Sequence, residues 1–296
     1  MHIRCMRKDC GVRIVFNKKA LGEMFNYFKI ELKRAFINRR MAVTLAVGIL
    51  FAIIQVFVDV LPMVEVNAGN LQGLYPHSVF SKCMGMIRGS VFPAYYFMFL
   101  PILIGIPYGT VMSQDRKNGY IKNLFTRMPK RNYYIAQYVV AFLAAGVVAV
   151  VPQIINVAIT ALFLPSYVPL TGLGYIGIFP ESLWAGIFYT HTYLYLLLYL
   201  LLDFVVYGFL SSLSLSLGWV FKYNFTVLMI PFVITQCMNV VLAFIGKNCW
   251  TIDSFACPSQ PGVSTDPIEI AIVLLVLFAG AVISIIWGIK RSDELE

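Results

Sequence analysis

Charge is what this chain has least of. Only 12% of its 296 residues are Asp, Glu, Lys or Arg, about half the share of a soluble domain. No polar block is long enough to fold as a soluble catalytic domain. Histidine is scarcer still, with three residues scattered at His2, His77 and His191, which argues against a histidine metal site or a catalytic triad. GxxxxGK[ST] is missing, and the one Gly-Lys pair, Gly246-Lys247, is followed by Asn248. The chain therefore lacks that means of cradling a nucleotide phosphate. HExxH, GxSxG and CxxC are absent too. No cluster of catalytic residue types faces one side, so an enzyme is not expected.

What is present in abundance is apolar sequence, 59% of the chain, with a mean hydropathy of +0.78. It falls into six runs at 41–62, 92–112, 133–164, 191–220, 225–246 and 268–289. About 20 apolar residues suffice for a helix to cross the hydrocarbon. The predicted fold class is an all-α membrane protein of six transmembrane helices. The run 183–221 exceeds one straight crossing, so it either begins as an interfacial stretch or contains a broken helix. Pro93, Pro101 and Pro107 allow kinks in span 2, and Pro152, Gln153 and Asn156 put polar groups at mid-membrane depth in span 3. Span 5 carries Pro231, Gln236 and Asn239.

The net charge of +9 is unevenly placed. Eleven of the 23 basic residues lie in 1–40 and six in 113–131. Lys222, Lys290 and Arg291 continue the alternation, and Lys82, Arg88 and Lys247 fall on the opposite segments. This is the positive-inside pattern, which predicts a multi-pass cell-membrane protein with both termini and the 113–131 loop cytoplasmic. A nucleic-acid face would not alternate with apolar spans, so no nucleic-acid partner is expected. Residues 1–18 are basic and lack the apolar core of a cleavable leader, so none is expected.

Two cytoplasmic stretches have helical periodicity. In 19–38, Leu21, Phe25, Phe28, Leu32 and Phe36 recur at helical spacing opposite Lys19, Lys29, Lys33 and Arg34, which predicts an amphipathic interfacial helix. In 113–138, Ile121, Leu124, Phe125 and Met128 fall at i, i+3, i+4 and i+7, ringed by basic residues and stopped by Pro129. That predicts a short amphipathic helix at the membrane surface, against the plainer reading of a solvated basic loop. The 17 tyrosines and 23 phenylalanines gather near span ends, as interfacial belts do.

Three further features remain. Asp203 is the one acidic residue deep in a span, where an ionisable group is costly and suggests function or assembly. It reads either as a proton or ion relay or as a polar tether partnered by His191 or tyrosines. Cys249 and Cys257 share the segment between spans 5 and 6, outside by the charge pattern. They are there either a disulfide or two free thiols. Cys5 and Cys10, a lone Cys-x4-Cys pair, are a weak metal signal.

The pre-span amphipathic helix, the six spans and the segment containing Asp115, Gly119, Leu124, Pro129, Arg131 and Tyr134 together resemble the ABC-2 type permease family. The stretch 190–225 resembles span 4 of small bacterial permeases of this type, and the segment between spans 5 and 6 is similar in position to the family's re-entrant loop. Gln137 departs from the basic residue that many relatives carry. The resemblance implies the transmembrane half of an ATP-binding-cassette exporter. Its ATP and Mg would be bound by a separate ATPase subunit, with no cofactor on this chain. It implies a second permease chain, identical or different, as partner. By the same resemblance, 19–40 is a connecting helix carrying Phe25, Phe28, Leu32 and Phe36. Asp115, Gly119, Ile121, Leu124, Phe125, Met128 and Arg131 form a coupling helix between spans 2 and 3 that docks in the ATPase. The division is a 1–18 cytoplasmic segment, the connecting helix, a transmembrane domain over 41–289 and a tail over 290–296. Uncharged spans suit an apolar or amphipathic cargo such as a peptide, lipid or drug. The competing classes are an ion-coupled secondary transporter, with Asp203 as relay, and a non-transporting scaffold or immunity subunit.

Overall fold

The computed structural model describes residues 18–69, 77–87, 90–126, 129–168, 178, 182–218, 220, 221, 223–259 and 266–293. Among them all regular structure is helical. Six stretches are long and apolar enough to cross a membrane: Arg39–Asn67, Val91–Lys117, Lys130–Phe163, Thr192–Leu217, Asn224–Phe244 and Pro267–Lys290.

The first helix, α1 (Lys18–Phe36), precedes span 1 and carries Lys33 and Arg34 in its last turn, where cations complement the helix dipole. Asn38 separates it from α2 (Arg39–Gln55) by accepting the Arg40 N–H, 3.1 Å, on its side chain. Span 1 then passes through a π-helical turn, Val56–Val60, into α3 (Leu61–Gly69). After the single turn α4 (Val79–Lys82), span 2 is built of α5 (Val91–Leu103), α6 (Gly105–Tyr108) and α7 (Val111–Lys117). The breaks follow Pro101 and flank Pro107, each of which removes a backbone donor.

A left-handed Gly119, φ 69°, turns the chain into α8 (Tyr120–Phe125). Nothing lies within 4 Å of where a Cβ would stand, so the backbone conformation rather than crowding favours glycine there. Next come α9 (Lys130–Phe163), α10 (Ala185–Thr190) and α11 (Thr192–Leu217). The 183–221 run is thus a broken helix, and the break falls at His191. The chain closes with α12 (Asn224–Phe244), the short α13 (Ile252–Ala256) and α14 (Pro267–Asp293).

The long helices α9 and α11 form the centre, with α2 and α1 along α9, α14 and α12 along α11, and α5 bridging α2 to α12. Their intimacy has a specific cause. The ring of Phe204 on α11 occupies the space a Cβ on Gly146 of α9 would need, and the ring of Phe142 on α9 does the same at Gly208 of α11. Each helix offers one glycine and one phenylalanine, and the two rings meet edge to face at 5.6 Å. Small residues at a helix interface let backbones approach where lipid supplies no hydrophobic drive.

Candidate functional site

Three polar clusters, two of them buried and the third half-buried, hold several of the chain's few charges. The first ties α1 to the far end of span 2. Arg34 grips Asp115 with both prongs, Nη1 to Oδ2 at 3.0 Å and Nη2 to Oδ1 at 2.5 Å. Asp115 is 1% exposed and also accepts from Gln137 Nε2 at 3.2 Å and Tyr133 Oη at 3.3 Å. Glu31, fully buried, lies 3.6 Å from Arg34 and accepts from Tyr108 Oη at 2.6 Å. Burial of the guanidinium opposes its charge, but the hydrogen bonds and charge of Asp115, then Glu31, outweigh this and hold Arg34 above its ordinary pKa. Burial, and after it the Glu31 carboxylate, raise the Tyr27 hydroxyl well above its usual range. Two-pronged, charge-assisted pairs of this kind fix orientation as well as adding energy. The cluster rivets α1, α6, α7 and α9 into one body.

Sequence reasoning placed Asp115 in this region but missed Arg34 and Glu31. It put the apolar stripe of α1 on Phe25, Phe28, Leu32 and Phe36. In the structure Phe25 is exposed, with Lys29 over its ring, and Phe28, Leu32 and Phe36 are half-buried. The fully buried line is Tyr27, Glu31 and Ala35, one step round the helix, because Glu31 and Arg34 must reach Tyr108 and Asp115. The signal available was an acid at i and a base at i+3 within an apolar helix.

The stripe of α8 is used within the chain. Ile121 is buried, and Leu124 and Phe125 are half-buried against the tyrosine-rich cluster of α1 and α9. The ring of Phe125 meets Tyr133 edge to face at 5.6 Å. Tyr120, Asn123 and Thr126 are exposed instead. Arg131 is exposed, and Met128 lies outside the described residues. Gln137 is the amide that donates to Asp115.

The second cluster lies inside the spans. Pro152 has no N–H for the Val148 carbonyl, and Tyr96 Oη donates to the adjoining carbonyls, to Ala149 O at 2.9 Å and Val148 O at 3.4 Å. Gln153 Nε2 donates to Ala149 O at 3.1 Å and to Asp203 Oδ2 at 2.6 Å. A proline in a span is tolerated when side chains re-satisfy the freed backbone in this way. Asp203 is fully buried, and its Oδ1 has no hydrogen-bond partner. Of the partners expected for Asp203, His191 or tyrosines, His191 is not one. His191 is exposed at the start of α11, three turns from Asp203, and Gln153 takes its place. One turn along α9, Asn156 bridges Ala52 O at 3.0 Å, Gln55 Oε1 at 2.7 Å and the Met84 N–H at 2.6 Å.

The third cluster sits around α13. Asp253 Oδ2 accepts from Asn239 Nδ2 at 2.5 Å and from Gln236 Nε2 at 3.5 Å. Burial raises the Asp253 pKa, against the two amide donors. Cys249 and Cys257 are free thiols rather than a bridge. Cys257 Sγ instead contacts Gly85 O at 3.5 Å and Ser259 Oγ at 3.4 Å. The Ser259 N–H donates to Gly85 O at 2.7 Å, so the segment after α13 is fastened to the turn before span 2.

Among the described residues, no group of three or more His, Cys, Asp or Glu stands together as metal ligands. The arrangement holds helices in register. Comparison with protein-family models, with curated proteins and with solved structures finds no match. The six apolar helices define the class, an integral multi-pass membrane protein.

Proposed function

We propose that this chain is the transmembrane permease subunit of an ATP-driven exporter, with ATP hydrolysed on a separate ATP-binding-cassette subunit. The observation that carries the reading is the Arg34–Asp115 pair. It makes the pre-span helix α1 and the turn carrying α8 one rigid piece, joined directly to spans 2 and 3. A push on that piece reaches the bundle without being lost in a loop. Because Ile121, Leu124 and Phe125 serve the chain's own core, the surface offered to the ATPase is the other side of α8, Tyr120, Asn123 and Thr126, together with Phe25 and Lys29 of α1. The basic residues support a cytoplasmic position for this piece in a cell-membrane protein, and the paired permease would be a second chain of this kind. The cargo favoured by uncharged spans is apolar or amphipathic. The test is co-purification with candidate ATPases, followed by ATP hydrolysis in lipid with and without this chain. Stable association and an altered hydrolysis rate support the permease, and no association with any ATPase sinks it.

A second reading, an ion-coupled transporter, is favoured by one observation, the buried Asp203 with an unpartnered carboxylate oxygen. Transport that needs an ion gradient and no ATPase would favour it over the first.

A further inference from the structure

The end of the bundle away from the Arg34–Asp115 pair holds an open cavity of about 930 Å³, within the size range of small-molecule sites. The first turns of α5 supply its apolar wall through Val91, Ala94, Tyr95 and Met98. The opposite wall is polar, with Gln236 and Asn239 of α12 beside Asp253 of α13. Both amides point their N–H groups at one carboxylate oxygen, Asp253 Oδ2. The other oxygen, Oδ1, is buried and has no hydrogen-bond partner. Among the described residues no basic side chain forms an ion pair with Asp253.

Asp253 is half-buried with its Oδ1 closed to the cavity. It lines that cavity with two amide donors on Oδ2 and no ion pair to a described basic side chain. A carboxylate partly withdrawn from water in this way favours a positive partner. An anion would be repelled. A group with a positive, donor-bearing head and an apolar body satisfies both walls, and the face of an aromatic ring such as that of Tyr95 attracts a cation. We propose that this cavity binds an apolar organic cation, with its ammonium or guanidinium head on Asp253 and its body along Tyr95 and Met98. The site stands on its own geometry and does not rest on the transport reading.

The test is equilibrium binding to the purified full chain in nanodiscs of neutral phosphatidylcholine at pH 7.5. The probes share one ring and differ in head group: naphthylmethylammonium, naphthylmethanol and naphthylacetate. The ammonium should bind about tenfold or more tighter than the alcohol, the scale of one charge-assisted hydrogen bond. Asp253→Asn keeps the side-chain shape and should abolish that preference. Ala94→Trp, which fills the cavity from the opposite wall, should remove specific binding of all three, with thermal unfolding showing that both variants fold. Equal binding of the three probes would identify an apolar lipid slot and overturn the proposal. So would a preference that survives Asp253→Asn, binding that survives Ala94→Trp, or no measurable ammonium binding.

Discussion

Arg34 and Asp115 stand 81 residues apart in sequence, yet the guanidinium and the carboxylate meet through two hydrogen bonds of 3.0 and 2.5 Å. The carboxylate is buried and the guanidinium about one-third exposed. Removing the base strands an acid beneath Tyr133 and Gln137. Arg34→Ala should therefore destabilise the folded chain by about 2 kcal/mol, less than the loss for a fully buried pair because water reaches the arginine. Thermal unfolding in detergent measures it. The double variant Arg34→Ala/Asp115→Asn should lose less than the sum of the single losses, since no charge is then left alone.

The glycine–phenylalanine interlock gives a prediction whose sign separates packing from propensity. Alanine is favoured over glycine in a helix by up to about 1 kcal/mol. At Gly208 the Phe142 ring fills the space, so Gly208→Ala should instead cost about 1–3 kcal/mol. Phe142→Leu introduced with it should recover part of the loss. A more stable Gly208→Ala variant would show that α9 and α11 are not held by this contact.

Asp203 offers a test between tether and relay. Asp203→Asn keeps an acceptor for Gln153 and replaces a buried carboxylate with a neutral amide, so the tether reading expects unchanged or higher thermal stability. Asp203→Leu leaves the Gln153 amide facing a hydrocarbon side chain, and should cost about 1–3 kcal/mol. Under the relay reading, Asp203→Asn is as stable as the parent but loses ion-coupled transport.

The two faces of α8 should separate stability from partner binding. Leu124→Glu places a charge in the cluster with Tyr133 and Tyr134 and should lower the unfolding temperature measurably. Asn123→Ala alters an exposed side chain and should leave that temperature within about 2 °C, while weakening co-purification with the ATPase. Weakened association with Leu124→Glu alone, at unchanged stability, would return the docking face to the apolar stripe.

Burial pushes the Cys83 thiol up to about 12. The thiolate is the reacting form, so at pH 7.5 a water-soluble maleimide should leave Cys83 unlabelled in the folded chain and label it after denaturation. Mass spectrometry of unreduced protein should find Cys249 and Cys257 unlinked.

Much of the fold was legible along the chain because hydrocarbon imposes a simple rule. A segment crossing it must be apolar for about 20 residues and satisfy its own backbone, so the hydropathy runs locate the six long helices to within a few residues. The excess length of the 183–221 run was likewise a local matter. The polar clusters were less legible. Periodicity reports which residues share a helix face, but not how that face is turned. The need of Glu31 and Arg34 to reach Tyr108 and Asp115 rotated α1 away from the stripe through Phe25.

The sequence by itself determined that this is a membrane protein of six apolar helices, because composition and period act over neighbouring residues. Tertiary structure alone decided that Asp203 meets Gln153 rather than His191. It alone decided that Leu124 and Phe125 close the chain's own core, and that Asp253 faces a cavity. Each of these depends on which helix lies beside which. Here that is set by contacts such as Gly146 with Phe204 and Arg34 with Asp115, whose partners lie more than 50 residues apart.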